Sequence, residues 1–578
     1  MKKLLVYLKA YKKESILGPL FKMLEASFEL FVPLVIASII DTGITTQDKG
    51  YILSRCGILI LLGIIGLVCS VTAQYFAAKA SVGFAKKIRH VLFSHIQTLS
   101  FTELDTLGIS TLITRLTSDI HQVQNGVNLT LRLFLRSPFV VFGAMLMAFT
   151  IDVKCALIFA VAIPVLSVVV FGIMLISIPL YKEAQRKLDQ VLLTTRENLT
   201  GVRVIRAFCK EEAEIESFHN ANVELTQLQK YVGRISALLN PLTYIIINLA
   251  VIALIRQGSL QVSLGILTQG QIVALYNYMS QILVELIKLA NLIISITKAV
   301  ACGNRIQSVL EGTTSMRDGS SQPEPISGSP AVEFQQVELR YAGAAQASLS
   351  DISFSANTGE TIGIIGGTGS GKTSLVNLLP RFYDATAGKI TISGADIQSY
   401  KLQSLRGKIG IVPQKAVLFK GSIRENMQWG KEDVSDEEIW EALCAAQAED
   451  VIAGKEGGLS YELEQGGKNL SGGQRQRLTI ARALVQKPEI LILDDSSSAL
   501  DFATEAALRK ALYNLSWKPT VFIVSQRTSS IRHADKIIVL EDGTTVGIGT
   551  HDELLSSCEV YREIYESQFK KEVSGSEV

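Results

Sequence analysis

Six long apolar runs fill the first part of the chain and end near Val300. A helix needs about 20 mostly apolar residues to cross a bilayer, and backbone polar groups in lipid must be paired within the segment. These runs therefore predict an all-α transmembrane domain with six helices. The predicted spans are Ile16–Ile40, Ile52–Ala77, Leu131–Ile151, Cys155–Leu180, Leu238–Ile255 and Gln271–Ile296.

An even number of spans places both termini on one side, and basic residues mark the cytoplasmic side. The connection between spans two and three contains Lys79, Lys86, Lys87, Arg89 and Arg115. The connection between spans four and five contains Lys182, Arg186, Lys187, Arg196, Arg203, Arg206, Lys210, Lys230 and Arg234. The other connections contain only Lys49, Lys154 and Arg256. We therefore expect a multi-pass protein of the cell membrane with cytoplasmic termini, whose two basic connections are helices extending beyond the bilayer.

The N-terminal segment Met1–Glu14 alternates lysines with apolar residues. They are Lys2, Lys3, Lys9, Lys12 and Lys13. The apolar run that follows is too long for a signal peptide and has no small-residue cleavage site. The segment is interpreted as an amphipathic helix on the cytoplasmic leaflet.

Cysteine usage and net charge argue against some other classes of protein. The seven cysteines are scattered without a C-x-x-C pair, which argues against a disulfide framework or a zinc site. The net charge is only +2, so charge does not suggest a nucleic-acid partner.

Several polar residues lie within the predicted spans: Glu25, Glu29, Asn277, Gln281, Glu285 and Lys288. Glu285 and Lys288 are one helical turn apart and are placed to pair. Ionisable groups in a membrane are candidates for function. Positions near water or pairing for packing explain them equally well, so the sequence nominates no substrate site among them.

A phosphate-binding pattern, G-x-x-x-x-G-K-[ST], follows the membrane part. It consists of Gly366, Gly367, Thr368, Gly369, Ser370, Gly371, Lys372 and Thr373. The apolar run Thr361–Ile365 before it predicts a buried strand, and Thr373–Leu379 after it has helical spacing. Glycines let backbone N–H groups surround phosphate oxygens, and the helix N-terminus favours an anion. The chain is expected to bind a nucleoside triphosphate.

Composition divides the chain. Thr313–Pro330 is rich in Ser, Gly and Pro without an apolar period, which is typical of a linker. We predict a transmembrane domain over residues 1–312, a linker over 313–330 and an α/β nucleotide-binding domain over 331–578.

The motif Leu470-Ser471-Gly472-Gly473-Gln474 precedes the helical pattern Arg475–Leu484. From Tyr341 to about Asp535 the chain resembles the nucleotide-binding domain of an ATP-binding cassette (ABC) protein, and this motif resembles the family signature. The whole chain resembles an exporter half-transporter, with a type IV ABC exporter-like membrane domain fused to an α/β P-loop domain. The resemblance implies that Ser471, Gly472, Gly473 and Gln474 close on ATP held by a second half-transporter.

The resemblance implies further roles in binding ATP and Mg²⁺. Tyr341 stands where the family stacks an aromatic ring on adenine, and Gln414 where a glutamine reaches Mg²⁺ and the attacking water. Asp494 ends the predicted strand Ile490–Asp494 and is expected to hold Mg²⁺ with Thr373 and Gln414. Asp501 resembles the aspartate of the loop that contacts the partner domain.

Two positions depart from the family pattern. After Asp494 active members carry Glu, whereas this chain has Asp495. After the strand Val521–Val524 they carry a histidine, whereas this chain has Gln526. A shorter carboxylate is misplaced for positioning water, and an amide cannot transfer a proton as imidazole does. Together they indicate a degenerate site that binds ATP and hydrolyses it slowly or not at all.

An intact signature beside a weakened site resembles one subunit of a heterodimeric bacterial multidrug-type exporter, an ATP-hydrolysing translocase as a complex. The resemblance also implies coupling helices near Phe101–Thr106 and Ile205–Ala213 that dock on the nucleotide domains. The alternatives left open are a homodimeric exporter and a non-transporting ATP-gated regulator. Fusion of the two domains disfavours an importer, and six spans exclude a soluble ATPase. The composition of the spans suits small amphipathic drugs or lipids, with peptides still open.

Overall fold

The computed structural model describes Met1 and residues 3–569. Lys2 of the predicted N-terminal helix and residues 570–578 of the predicted nucleotide-binding domain lie outside the described residues. The chain divides into two compact units. Unit 1 contains Met1–Gln97 and Ile109–Gly312, and unit 2 contains Thr98–Gly108 and the chain from Thr313 onward.

The chain is helical as far as Glu311. Its α-helices are α1 (Lys12–Ser38), α2 (Lys49–Thr98), α3 (Phe101–Leu107), α4 (Ile109–Thr114), α5 (Ile120–Leu133), α6 (Arg136–Ile151), α7 (Val153–Thr200), α8 (Val202–Ala207), α9 (Glu211–Ala237), α10 (Leu239–Ser263) and α11 (Gln269–Glu311). A 3₁₀ segment precedes α1 at Leu4–Tyr11, and π-helical turns occupy Ile39–Ile44 and Arg115–Asp119. The N-terminal segment thus begins as a 3₁₀ rather than an α-helix.

Six helical stretches among the described residues are long and apolar enough to cross a membrane. They are Lys3–Ile44, Lys49–Thr98, Ile109–Ile151, Val153–Thr200, Glu211–Ser263 and Gln269–Glu311. The predicted six-helix fold class is confirmed. The shortest stretch has 42 residues, or about 63 Å at 1.5 Å per residue. That length is about twice the thickness of a hydrocarbon core.

The two predicted coupling segments differ in structure. The first is the helix α3, which begins with a capping box between Ser100 and Glu103 and ends at Gly108, whose φ is 75°. The second, Ile205–Ala213, is wrong as a single helix. Helix α8 ends at Ala207, and Cys209 has a left-handed φ of 52°, which interrupts the helix before α9 begins.

Unit 2 is an α/β structure. Its strands are β1 (Val332–Leu339), β2 (Leu349–Ala356), β3 (Thr361–Gly366), β4 (Ala387–Ile392), β5 (Ala395–Asp396), β6 (Ile409–Val412), β7 (Gly421–Ser422), β8 (Glu462–Leu463), β9 (Ile490–Asp494), β10 (Thr520–Val524), β11 (Lys536–Glu541) and β12 (Thr544–Gly549). Beyond α3, its helices are α12 (Lys372–Leu378), α13 (Leu402–Gly407), α14 (Ile423–Gln428), α15 (Asp436–Ala445), α16 (Glu449–Ala453), α17 (Gly472–Leu484), α18 (Phe502–Tyr513), α19 (Thr528–Ile531), α20 (His551–Ser557) and α21 (Glu559–Phe569).

A six-stranded sheet has the order β12-β11-β3-β10-β9-β6, and a second sheet has the order β2-β1-β4-β5. In the first sheet all neighbours are parallel except β11 and β12. Val524 at the end of β10 pairs with Ile364 on β3 and with Asp494 on β9. The residues that follow these three strands therefore meet at one edge, where open α/β sheets bind ligands.

The predicted linker packs on the rest of unit 2. Met316 is buried. The backbone N–H of Leu402 donates to Asp318 Oδ1 at 2.7 Å, and that of Ile326 donates to the Ser393 carbonyl at 3.0 Å. The domain boundaries at residues 312 and 330 stay a prediction.

Candidate nucleotide-binding site

The glycine-rich loop turns from the end of β3 into α12 with a backbone that only glycine tolerates. Gly369 and Gly371 have φ values of 85° and 92°, in the left-handed region. A Cβ on Gly371 would lie 2.8 Å from the Ser348 carbonyl oxygen. The loop therefore depends on glycine to approach the β1–β2 connection and to present its backbone.

Lys372 lies across the loop that precedes it. Its Nζ donates to the carbonyls of Gly366 at 3.0 Å and Gly367 at 2.6 Å, and to Ser370 Oγ at 3.2 Å. Burial lowers the pKa of the Lys372 ammonium, while Asp495 and Asp494 favour its charged form. An ammonium group beside the backbone of a glycine-rich loop is an arrangement suited to binding phosphate oxygens.

Thr373 and Asp494 form the other wall. The Thr373 hydroxyl donates to Asp494 Oδ1 at 3.1 Å. Burial raises the pKa of Asp494, and Asp495 adds to this effect, whereas Thr373 and Lys372 oppose it. A hydroxyl and a carboxylate at this distance are oxygen ligands of the type that Mg²⁺ takes. The residues present thus fit a magnesium ion.

The two departures from the family pattern lie in the same place. Asp495 Oδ2 accepts a hydrogen bond from Gln414 Nε2 at 3.2 Å. The pocket has a volume of about 280 Å³. It is lined by Ser348, Thr368, Gly369, Gly371, Lys372, Thr373, Ser374, Gln414, Asp494, Asp495, Val524, Ser525 and Gln526. The structure thus brings together nine of the predicted site residues.

Other predicted residues lie outside this lining. Gly366, Gly367 and Ser370 belong to the loop. Tyr341 donates through its hydroxyl to Ser374 Oγ at 2.9 Å and packs edge-on against Tyr383, with ring centroids 5.0 Å apart.

The pocket contains residues that the sequence did not predict. Ser374 and Ser525 are next to the predicted residues Thr373 and Gln526 in the sequence, and this proximity could have indicated that they line the pocket. Ser348 had no sequence signal, because the connection between β1 and β2 carries it to the loop.

The signature motif caps α17. Ser471 Oγ accepts from the Gln474 N–H at 3.3 Å, and Gln474 Oε1 accepts from the Ser471 N–H at 3.0 Å. Ser471 and Gly472 are exposed. The N-terminus of a 13-residue helix is thus open to an anion from outside the chain.

Asp501 caps the neighbouring helix α18. Its Oδ1 accepts from the Thr504 N–H at 2.9 Å, and its Oδ2 accepts from the Thr504 hydroxyl at 2.8 Å. These backbone and side-chain hydrogen bonds lower the pKa of Asp501. The carboxylate is therefore fixed in position at the start of the helix.

Two protein-family models match this chain, one mainly in unit 1 and one in unit 2. Residues 15–286 match the family model described as the ABC transporter transmembrane region, and residues 349–498 match the model described as ABC transporter. The ABC transporter ATP-binding protein YfiB of Bacillus subtilis is 37% identical over 576 residues, which is 100% of each chain. The chain belongs to the ABC transporter family.

Further similarities agree with this assignment. The ATP-dependent lipid A-core flippase of Desulfotalea psychrophila is 32% identical over 563 residues, covering 97% of this chain and 93% of that protein. The fold is similar to a bacterial Atm1-family ABC exporter solved with ATP bound, with a TM-score of 0.78 and 23% identity over 96% of this chain and 98% of that one. The ABC protein described here is an exporter half-transporter that uses ATP at a lipid bilayer.

Proposed function

We propose that this chain is the degenerate-site subunit of a heterodimeric exporter in the cell membrane. Its termini and nucleotide-binding domain lie in the cytoplasm. One observation carries the proposal. Asp495 and Gln526 both line the nucleotide pocket, whereas the signature residues Ser471 and Gln474 keep a complete capping box.

Asp495 is the first part of the argument. Its side chain is one C–C bond, about 1.5 Å, shorter than glutamate. Its Oδ2 already accepts a hydrogen bond from the Gln414 amide, so this oxygen is engaged by another residue of the pocket. A misplacement of about 1 Å is enough to cost about a hundredfold in rate, so the carboxylate is poorly placed to orient the attacking water.

Gln526 is the second part. Its backbone carbonyl accepts from Gln568 Nε2 at 2.8 Å, which holds the residue at the pocket rim. An amide can donate a hydrogen bond to a phosphate but has no proton to exchange near neutral pH. At this position the site therefore keeps a group that can bind phosphate, but it lacks one that can take up or release a proton during hydrolysis.

ATP is held by the loop Gly366–Thr373, with Lys372 at the β- and γ-phosphates and Tyr341 on the adenine. Thr373, Gln414 and Asp494 hold Mg²⁺, which neutralises phosphate charge when bound. Ser471–Gln474 complete the partner's competent site, and Asp501 contacts the partner domain. ATP bound between the two domains favours the closed dimer through contacts that exist only when they are shut.

The proposed substrates are small amphipathic drugs or lipids. Similarity to a protein named as a lipid A-core flippase supports a lipid-like substrate. Fold does not fix function, so the substrate class requires its own test.

The heterodimer is tested on the complex purified with its partner. Changing the partner's catalytic glutamate to glutamine should abolish most ATP turnover, whereas Asp495→Asn should preserve more than half of it. The reverse pattern refutes the assignment. Fast hydrolysis by this chain alone, lost in Asp495→Asn, indicates a homodimeric exporter instead. ATP-driven uptake of a fluorescent lipid into inverted vesicles separates transport from a purely regulatory role.

A further inference from the structure

A network of charged groups joins three helices inside unit 1. Arg136 on α6 donates through Nη1 to Glu285 on α11, and through Nη2 to Glu29 Oε2 on α1 at 2.6 Å. Lys288 Nζ donates to Glu285 Oε1 at 2.8 Å, and Ser137 Oγ donates to Glu285 Oε2 at 2.8 Å. Two positive and two negative groups leave no formal net charge. Arg136 and Glu285 are both buried, and their mutual ion pair offsets the cost of removing each charge from water.

The two outer members of this network have opposite charges and face open space. The side chains of Glu29 and Lys288 are each 43% exposed. Both line a pocket of about 350 Å³. Glu29 uses Oε2 for Arg136, and its Oε1 has no hydrogen bond within the described part of the chain. The pocket thus offers one free carboxylate oxygen and one accessible ammonium.

A third polar group in the pocket has no partner. Gln281 lies one turn before Glu285 on α11 and lines the same pocket. Its Oε1 is buried and accepts no hydrogen bond from any described residue. A buried acceptor without a donor is costly and is rare in native proteins. Its position in the lining is explained if a ligand supplies the donor.

The remaining wall is mostly apolar and comes from α1, α6 and α11. Its apolar members are Val32, Pro33, Ile36, Val140 and Val284, and the polar residues Asn277 and Ser280 of α11 also line the pocket. Pockets of this kind bind a ligand by an apolar body and fix its orientation by a few polar groups.

We propose that this pocket binds zwitterionic amphipaths, whose polar end contains an ammonium and a phosphate or carboxylate. The ammonium pairs with Glu29 and donates to Gln281, and the anionic group pairs with Lys288. Because Lys288 is already paired with Glu285 and Glu29 with Arg136, a purely cationic head adds an uncompensated positive charge to this neutral network, and a purely anionic head adds an uncompensated negative charge. Specificity for a zwitterion then follows because its two charges leave the pocket neutral, whereas each singly charged ligand does not. This inference rests on the proposed amphipathic substrate and does not depend on the heterodimer.

The test uses three photoreactive probes with the same diazirine-bearing acyl chain and different heads: lysophosphatidylethanolamine, a primary amine and a phosphate monoester. The purified complex in phosphatidylglycerol nanodiscs is labelled, and crosslinks on α1 and α11 are quantified by mass spectrometry. The zwitterionic probe should label at least about tenfold more efficiently than the others, as expected for one extra charge-assisted hydrogen bond. Equal labelling by all three probes overturns the proposal.

Substitutions in the pocket test which residues select the head group of the probe. Glu29→Gln should reduce labelling by the zwitterion about tenfold and spare the phosphate probe, and Lys288→Gln should spare the amine probe instead. Gln281→Leu, which leaves the ion network intact, should lower only the probes with an ammonium. Glu14→Gln is the matched control, because Glu14 pairs with Lys79 at 3.0 Å outside the pocket. Unchanged labelling in Glu29→Gln and Lys288→Gln refutes the assignment.

Two further measurements separate the outcomes. Basal ATP hydrolysis on the same samples reports whether each variant folds and does not use this pocket, so the heterodimer can fail while the pocket proposal stands. Adding phosphatidylethanolamine to the nanodisc distinguishes the sources of the ligand. Competition by this lipid indicates a substrate from the bilayer, whereas undiminished labelling indicates a free zwitterion.

Discussion

The pocket face and the signature face of the nucleotide-binding domain differ in how their contacts are built. The pocket contains a loop of backbone groups and Lys372, and its departures from the family pattern fall on the side chains Asp495 and Gln526. The signature face is a capped helix terminus at Ser471 without a departure. In the proposed function, phosphate binding and hydrolysis therefore depend on separate groups. Loss of hydrolysis then need not weaken the binding of phosphate.

The largest effect is expected on the signature face. Ser471→Ala should lower ATP turnover of the complex about a hundredfold, comparable with removing one donor from a preorganised anion site. Nucleotide photolabelling of this chain's own loop should persist. The measurement is steady-state ATPase activity together with photolabelling of the same samples.

A matched control exists for this change. Ser435 forms the same capping box at the start of α15, with Glu438 as its partner. Each Ser→Ala change should cost about 1 kcal/mol of stability from the lost cap. Ser435→Ala should nevertheless leave turnover within about twofold, since the first turn of α15 carries Asp436, Glu437 and Glu438, which repel an anion. Equal losses in both variants would mean that capping, rather than the signature, explains the effect.

The second prediction concerns the pocket face, where both departures from the family pattern are reversed. The double variant Asp495→Glu with Gln526→His should raise hydrolysis at this site at least about tenfold, because it restores a longer carboxylate and a titratable group. Single-turnover ATP hydrolysis is measured in a complex whose partner site is inactivated. Asp450→Glu is the control, since Asp450 pairs with Arg477 at 2.6 Å outside the pocket. If the double variant stays slow, other residues determine the low rate.

Sequence reasoning reached the pocket because its parts lie at strand ends. The predicted strand Ile490–Asp494 has the same bounds in the structure, and Thr361–Ile365 extends by one residue to Gly366. Short apolar runs next to glycine or carboxylates are strong local signals. Parallel pairing then brings Asp494 and Val524 side by side.

Long-range features were beyond the sequence. Ser348 reaches the pocket through a connection between strands of another sheet. The charge network around Arg136 requires three helices to meet, and of its members the sequence points only to Glu29, Glu285 and Lys288. The break at Cys209 depends on a left-handed residue, for which cysteine gives no propensity signal.

The smallest effect is expected where the pocket face meets α3. Tyr383 donates from its hydroxyl to Asp105 Oδ2 on α3 at 2.5 Å and packs against Tyr341. Phe101 lies against Phe382, with ring centroids 4.6 Å apart. Burial, with Asp105 as acceptor, raises the pKa of Tyr383, so the hydroxyl remains a donor at physiological pH. Tyr383, which packs against Tyr341 beside the nucleotide pocket, thus contacts α3 directly.

Tyr383→Phe removes this one hydrogen bond and keeps the ring. A bond of this kind is worth about 1 kcal/mol, so we expect transport per ATP hydrolysed to fall about three- to fivefold, with ATP turnover nearly unchanged. The ratio is measured in proteoliposomes that report lipid uptake and phosphate release together. Tyr513→Phe serves as the control because Tyr513 is 83% exposed. A parallel fall in transport and turnover would assign Tyr383 to the fold of the domain, whereas a fall in transport alone means that the nucleotide-binding domain acts on transport through α3.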